Sequence, residues 1–191
     1  MLNQIKITYK ETNFFSKLIN DYIEENDSLS DKISYFPNLD NFNKQIKNKS
    51  KQNLDRKLLV NVLKQQNSKI LLSNFSKKNI ELLSKENTYT VTTGHQLCLF
   101  TGPLFFIYKI FSTINLAEKL TEKYPNNNFV PLFWLASEDH DLNEINHFYV
   151  NNKVYTYNKV NENMPVGRLK FDKIEQFISD NLTDLLQKSN D

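Results

Sequence analysis

The chain has 191 residues, of which 39% are hydrophobic and 13% aromatic, so it can build a packed core and is not a disordered chain as a whole. Its 24 basic and 22 acidic residues leave a net charge of +2, and only Arg56 and Arg168 are arginines, which argues against a nucleic-acid-binding face. The single cysteine excludes an internal disulfide framework and a zinc site of several cysteines. With no signal peptide and no long apolar run, the sequence predicts a cytoplasmic protein without a nucleic-acid or membrane partner.

Residues 1–87 contain no glycine and repeat apolar side chains at helical spacing. The pattern is clearest in the segments NFFSKLINDYIEEN, NLDRKLLVNVLKQQN and SKKNIELLSKEN. Ser76 precedes the last of these runs and is the residue we expect to cap that helix. The sequence therefore predicts a helical N-terminal region over residues 1–87.

The pattern changes at Thr88, where TYTVTT is β-branched and aromatic and predicts a strand that ends at Gly94. The segment GPLFFIYKIFSTINLAEKLTEKY then predicts a long helix with Pro103 in its first turn. FVPLFWLA is nearly all apolar, which is typical of a parallel strand that is covered on both faces. Strand, helix and strand in this order predict an α/β fold with a parallel βαβ core.

The rest of the chain predicts a β-hairpin and a closing helix. The runs HFYV and KVYTYNKV are joined by NNK and alternate like paired strands. The segment DKIEQFISDNLTDLLQKSN is amphipathic at helical spacing. We therefore assign residues 88–191 to a second region, made of an incomplete βαβ core, the hairpin and the C-terminal helix.

A first polar cluster follows the first predicted strand. Glycine lets the chain turn sharply and lets a ligand approach the backbone, and a helix N-terminus favours an anion. Histidine adds a group that can donate or accept a proton near neutral pH. Lys109 can reach an anion at this place if it faces the cleft. The candidates are His95 as a catalytic residue, and Thr93, Gly94, Gln96, Thr101, Gly102 and Lys109 as substrate-binding residues.

A second polar cluster, SEDHD, follows the second strand, and parallel strands bring both clusters to one edge of the sheet. One interpretation is acid–base chemistry, with Asp139 orienting His140 or His95. A second is a divalent metal site, and a third is a solvated loop in which Asp141 caps a helix with Glu144 as its partner. We predict Asp139 and His140 as catalytic residues and no metal, because three ligands are not spaced for one centre. Ser137, Glu138 and Asp141 complete the predicted substrate-binding set.

Two residues near these clusters have simpler interpretations. Cys98 is followed by Leu99 and Phe100, with no activating base beside it in the sequence, and is predicted to be a packed thiol rather than a nucleophile. Arg168 follows Gly167 in a predicted turn, where it can clamp a carboxylate or lie on the surface.

TTGHQLCLFTGPLFFIYKI and VPLFWLASEDHDLNEINHF together resemble the bacillithiol biosynthesis cysteine-adding enzymes, the cysteine ligases of that pathway, and MPVGRLKF resembles a third, weaker segment of that family. The resemblance implies a Rossmann-like core, a helical N-terminal part and a coiled coil nearer the C-terminus. It implies a ligase that joins cysteine to glucosaminyl-malate through an amide bond, with ATP or ADP as the associated nucleotide. It also places the active site in the two polar clusters, from Thr93 to Gln96 and from Ser137 to Asp141.

The chain resembles only the N-terminal part of these longer enzymes. We therefore expect either a truncated ligase or one piece of a split enzyme, with the missing C-terminal part or a second copy of the chain as a partner. A non-catalytic remnant is the first alternative. A nucleotidylyltransferase-like enzyme or a metal-dependent hydrolase that uses the same two clusters is the second.

Overall fold

A computed structural model describes residues 5–150, 152–158, 164–170, 172 and 174–187, and the side chains of these residues except 182–187. Its contacts divide the chain into two compact units, Met1–Asp55 and Arg56–Asp191. The sequence predicts a different boundary, after residue 87, from a change in amino-acid composition. That boundary stays a prediction.

The first unit holds helix α1 (Lys17–Ile23), a short 3-10 turn (Asp27–Leu29) and helix α2 (Asn41–Lys49). The Ser16 hydroxyl caps α1 by accepting a hydrogen bond from the Ile19 N–H. Leu29 is buried, while the apolar side chains on α1 remain partly exposed around an open cavity of about 570 Å³. The predicted helical character of this part of the chain is confirmed.

The second unit begins with α3 (Arg56–Gln66) and α4 (Asn74–Leu82). Our prediction for the cap of α4 was wrong by one turn, because the Ser73 hydroxyl accepts from the Ser76 N–H and Ser73 is the cap. The Arg56 guanidinium ties this helical pair to the following strand. Its three hydrogen bonds, of 3.1, 3.1 and 3.2 Å, go to the carbonyl oxygens of Leu83, Glu86 and Thr88.

The predicted parallel βαβ unit is confirmed. Strand β1 (Thr88–His95) pairs in parallel with β2 (Asn128–Leu135), and helix α5 (Leu104–Lys123) connects them and packs on both. The register opposes Thr88 to Asn128 and His95 to Leu135, so the two strands end at the same edge. Both predicted polar clusters therefore start from neighbouring strand ends, as the sequence indicates.

The predicted cover of the second strand on both faces is wrong at its carboxyl end. Phe129 and Val130 are buried, but Trp134 is 59% exposed and Leu135 is 48% exposed. Among the described residues, helices α5 and α4 pack against β2. They leave its last two residues, Trp134 and Leu135, largely exposed. Pro103 likewise lies one position earlier than expected, at the N-cap of α5 with extended backbone.

After β2 come the short helix α6 (Leu142–Ile145), strands β3 (His147–Val150) and β4 (Lys153–Thr156), a 3-10 turn (Val166–Arg168) and helix α7 (Ile174–Gln187). Strands β3 and β4 form the predicted antiparallel hairpin, with Val150 opposite Lys153. Val166 and Leu169 pack with Leu142 and Ile145 into a buried cluster. This buried cluster holds in place the segment after β2, which carries the second polar cluster.

In the part of the chain that the structure describes, no helix has the length and apolar character that crossing a membrane requires.

Candidate functional site

The end of β1 is packed tightly against β2. A Cβ atom added at Gly94 would lie 3.0 Å from the carbonyl oxygen of Trp134 and 3.1 Å from its Cβ. Such contacts are closer than a side chain normally tolerates. Glycine at this position therefore serves the approach of the two strands, and it places His95 at the strand end.

The His95 side chain is enclosed by the helix that follows. The residue is 6% exposed, and its ring lies 5.1 Å from the ring of Phe105 and 5.6 Å from that of Phe106, measured between centroids. Its Nδ1 lies 3.3 Å from the carbonyl oxygen of Gln96 and 3.2 Å from the Cys98 Sγ. Its Nε2 lies 3.5 Å from Oε1 of Glu144. The imidazole thus contacts its own chain at Nδ1, while Nε2 lies near a carboxylate without a hydrogen bond to it.

Glu144 connects the two strand-end segments. Its Oε2 accepts a 3.0 Å hydrogen bond from Nε2 of Gln96, which is only 3% exposed. The Asp141 carboxylate caps α6 by accepting from the Glu144 N–H at 3.2 Å, as predicted. The sequence indicated Glu144 only as a capping partner. Its contact with His95 and Gln96 was not predicted.

Lys109 faces the end of β1, which was the condition for its predicted role. Its Nζ donates a 3.3 Å hydrogen bond to the carbonyl oxygen of Gly94 and lies 5.2 Å from the centre of the Phe105 ring. The ammonium group therefore brings one positive charge to the loop that carries His95.

Cys98 lies against the turn that opens α5. Phe100, Thr101 and Gly102 all have positive φ, of 45°, 68° and 52°. A Cβ at Gly102 would lie 2.7 Å from the Cys98 Cβ and 3.0 Å from its Sγ, so this glycine gives room to the thiol. Burial raises the pKa of the Cys98 thiol above its ordinary value of 9.0, Glu144 raises it further and Lys109 opposes the rise. A protonated thiol in this packing supports the interpretation of Cys98 as a packed residue.

The second polar cluster is an exposed loop whose backbone is fixed. Oδ1 of Asp139 accepts hydrogen bonds from the backbone N–H groups of His140 and Asp141, at 2.6 and 3.2 Å. The carbonyl of Asp139 accepts from Val166 at 2.7 Å, and that of Ser137 accepts from Gly167 at 2.8 Å. The carboxylate that reaches His95 is therefore that of Glu144, while the Asp139 carboxylate holds the loop.

The predicted site residues thus fall into separate groups. His95, Gln96 and Lys109 converge at the end of β1. The side chains from Ser137 to Asp141 are exposed on the neighbouring loop. Thr93 instead lines a groove of about 780 Å³ beside α4, α5 and the sheet. Among the residues that the structure describes, no three His, Cys, Asp or Glu side chains are grouped as metal ligands would be.

A family model described as "Bacillithiol biosynthesis BshC, N-terminal Rossmann-like domain" matches residues 2–191. The chain belongs to the bacillithiol biosynthesis BshC family. The predicted resemblance and the Rossmann-like α/β fold are confirmed by this match.

Relatives within the BshC family carry the name "Putative cysteine ligase BshC". The protein of Flavobacterium johnsoniae is 50% identical over 174 residues, which are 90% of this chain and 33% of the relative. That of Christiangramia forsetii is 52% identical over 158 residues, or 82% of this chain and 29% of the relative. That of Bacillus thuringiensis is 35% identical over 133 residues, or 70% and 24%. The chain spans about a third of the length of the first of these relatives.

Proposed function

We propose that this chain carries the catalytic centre of a cysteine ligase that joins cysteine to glucosaminyl-malate, with the centre at the carboxyl end of β1. The relatives' names support a ligase. The observation that supports this placement is the buried His95 imidazole, which has the Glu144 carboxylate 3.5 Å from one ring nitrogen. A buried histidine beside a carboxylate is an arrangement suited to general-base catalysis.

The reaction that we propose forms one amide bond. The amine nitrogen of glucosaminyl-malate attacks the carbonyl carbon of an activated cysteine carboxyl group, the activating group leaves with its electron pair, and the amine loses a proton. That proton leaves with the activating group, and His95 accepts the earlier proton that the ammonium form of the amine gives up before the attack. The imidazolium that results has the Glu144 carboxylate 3.5 Å from its Nε2. Gln96 keeps Glu144 in place through its 3.0 Å hydrogen bond.

ATP is the activating reagent that this chemistry and the family resemblance favour. The turn before α5 places Gly102 against the Cys98 side chain rather than against open space. The Lys109 ammonium donates to the Gly94 carbonyl. We therefore assign no step of the reaction to a nucleotide-binding residue.

The loop from Ser137 to Asp141 is the second part of the proposed site. It lies beside His95, since Ala136 donates a 3.0 Å hydrogen bond to the His95 carbonyl. Its exposed side chains, with Asp139 and His140 among them, are available to hydrogen-bond to the hydroxyl groups of the sugar. Association with a separate C-terminal part or with a second copy of the chain stays a prediction.

The test is mass spectrometry of thiol products after incubation of the chain with cysteine, glucosaminyl-malate and ATP. We expect a bacillithiol mass with the wild-type chain and none with His95→Ala. His147→Gln is the matched control, because His147 contacts Asn146 and Tyr149 on the hairpin side and should keep activity. The full-length relative from Flavobacterium johnsoniae is run in parallel as the positive control. Product from the relative but none from the folded chain would refute the proposal for this chain, and product from His95→Ala would refute the assigned base.

A further inference from the structure

Two buried polar atoms at the end of β1 lack a hydrogen-bond partner among the described residues. They are Nε2 of His95 and Oε1 of Gln96. The His95 side chain is 2% exposed, and Gln96 is 3% exposed as a residue. Leaving such groups unpaired is costly, and a bound group or water commonly explains them. Both belong to side chains that contact the same carboxylate, that of Glu144.

The tautomer of His95 follows from the neighbours of Nδ1. The carbonyl oxygen of Gln96 lies 3.3 Å from Nδ1 and can only accept a hydrogen bond. The Cys98 thiol lies 3.2 Å from Nδ1 and 3.6 Å from the same carbonyl, so it can accept from Nδ1 and donate to the oxygen. A proton on Nδ1 therefore satisfies all three groups, whereas a lone pair there would face the carbonyl lone pair. Neutral His95 then carries its free lone pair on Nε2.

This assignment leaves Nε2 of His95 and Oε1 of Gln96 without a donor, on two side chains that both contact the Glu144 carboxylate. Nε2 of His95, Oε1 of Gln96 and the Glu144 carboxylate all present lone pairs, and the carboxylate adds a negative charge. The missing group is one that carries several N–H donors, no acceptor and a positive charge. A primary ammonium group has these properties.

We propose that these three side chains form a binding seat for a primary amine, with the His95 Nε2 as the atom that takes its proton. In the proposed ligase the ligand would be the amine of the amino sugar, and to that extent the seat rests on the proposed function. The N–H bond of the ammonium breaks, its proton moves to Nε2, and the nitrogen lone pair becomes free to attack the carbon of the activated cysteine carboxyl group. The second proton, which the nitrogen loses as the C–N bond forms, leaves with the activating group. The Glu144 carboxylate then lies beside a charged imidazolium.

Of the side chains that form the seat, that of Glu144 lies nearest to solvent. It is 42% exposed, whereas the His95 side chain is 2% exposed, so the proposed ligand would approach past the carboxylate. Lys109 brings a positive charge near this loop, and its ammonium is hydrogen-bonded to the Gly94 carbonyl. An amine that enters therefore meets a negative charge before the buried acceptors, which favours the protonated amine.

The first experiment changes the ligand and leaves the protein intact. Glucosamine and N-acetylglucosamine are titrated separately into the chain, and the imidazole signals are followed by NMR. The chain has three histidines, so comparison with His95→Ala assigns the His95 signal. We expect glucosamine to shift the His95 signal, with N-acetylglucosamine roughly tenfold or more weaker because it lacks the charged donor. Equal binding of both sugars, or no shift of His95 by glucosamine, would overturn the seat and leave the two buried atoms with water only.

The second experiment changes the carboxylate while keeping its shape. Glu144→Gln has one acceptor oxygen in place of two and no charge, so we expect it to weaken glucosamine roughly tenfold and to leave N-acetylglucosamine unchanged. Glu122→Gln makes the same charge change on the exposed end of α5 and is the matched control. Circular dichroism of both variants establishes that they are folded. Unchanged glucosamine affinity in folded Glu144→Gln would overturn the seat.

Failure of the seat and failure of the proposed function give different results. If glucosamine shifts His95 but no bacillithiol forms, the amine seat stands and the ligase assignment fails. If bacillithiol forms while glucosamine and N-acetylglucosamine bind alike, the ligase assignment stands and the seat fails.

Discussion

The turn that opens α5 gives a prediction whose size follows from the structure. Gly102→Ala places a Cβ 2.7 Å from the Cys98 Cβ and 3.0 Å from its Sγ, at a residue with a φ of +52°. Overpacking of this kind costs about 1–3 kcal/mol. The unfavourable backbone conformation costs about 1–3 kcal/mol more. We therefore expect Gly102→Ala to lower the free energy of unfolding by at least about 2 kcal/mol, a large share of the stability of an ordinary domain.

Second substitutions at Cys98 separate the two contributions. Cys98→Gly removes both atoms that the new Cβ would meet, so the double variant should recover about 1–3 kcal/mol relative to the sum of the two single variants. Cys98→Ala removes only Sγ and keeps the 2.7 Å contact between the Cβ atoms, so it should recover much less. Urea denaturation followed by circular dichroism measures all of these variants. A Gly102→Ala variant as stable as the wild type, or equal recovery from both Cys98 substitutions, would refute the reasoning.

Three further predictions concern the supports of the site. Arg56→Lys replaces a guanidinium that reaches three carbonyl oxygens with a single ammonium, and we expect a loss of about 1–3 kcal/mol in the same denaturation assay. The raised pKa of Cys98, the only cysteine, means that the folded chain binds the thiol proton more tightly than the unfolded chain, so this contribution to stability is lost as pH rises above about 9.0. Alkylation of Cys98 in the folded chain should therefore need a higher pH than alkylation in the unfolded chain. Glu144→Gln should lower the pKa of Cys98 and speed its alkylation. An unchanged rate would contradict the contribution of Glu144 to that pKa. Gly167→Ala would place a Cβ 2.5 Å from the Ser137 Cβ, and we expect about 1–3 kcal/mol of destabilisation and lower ligase activity, with a fully active variant as the contrary result.

The βαβ core could be predicted because its signals are local. A β-branched run before Gly94 and an apolar run before the acidic loop each have the length of a strand, and the helix between them has an apolar face. The parallel pairing then follows from the connection, since a helix of 20 residues joins strands that run in the same direction. Helix caps are less certain from sequence, because Ser73 and Ser76 are both suitable and only the backbone geometry selects Ser73.

The partners of the site residues could not be predicted in this way. Gln96 and Glu144 are 48 positions apart, and their contact depends on the register of two strands and on the fold of the loop after β2. The sequence also indicated Gly94 and Gly102 as places where a ligand approaches the backbone, but it did not show what lies against them. The structure places Trp134 and Cys98 there, so at both positions the glycine gives room to the chain itself.

The proposed chemistry depends on three segments that are far apart in the sequence. The end of β1 supplies His95, and helix α6 supplies Glu144. The turn at Val166–Arg168 holds the backbone of the loop between β2 and α6 through two hydrogen bonds. The position of Glu144 is thus coupled to that turn through the buried cluster of α6 with Val166. Loss of the turn's hydrogen bonds or of the buried cluster would move the carboxylate away from His95, whose ring stays in contact with the rings of Phe105 and Phe106. Substitutions in the turn should therefore reduce activity and leave the burial of His95 unchanged, because the ring is held by α5 and the carboxylate is not.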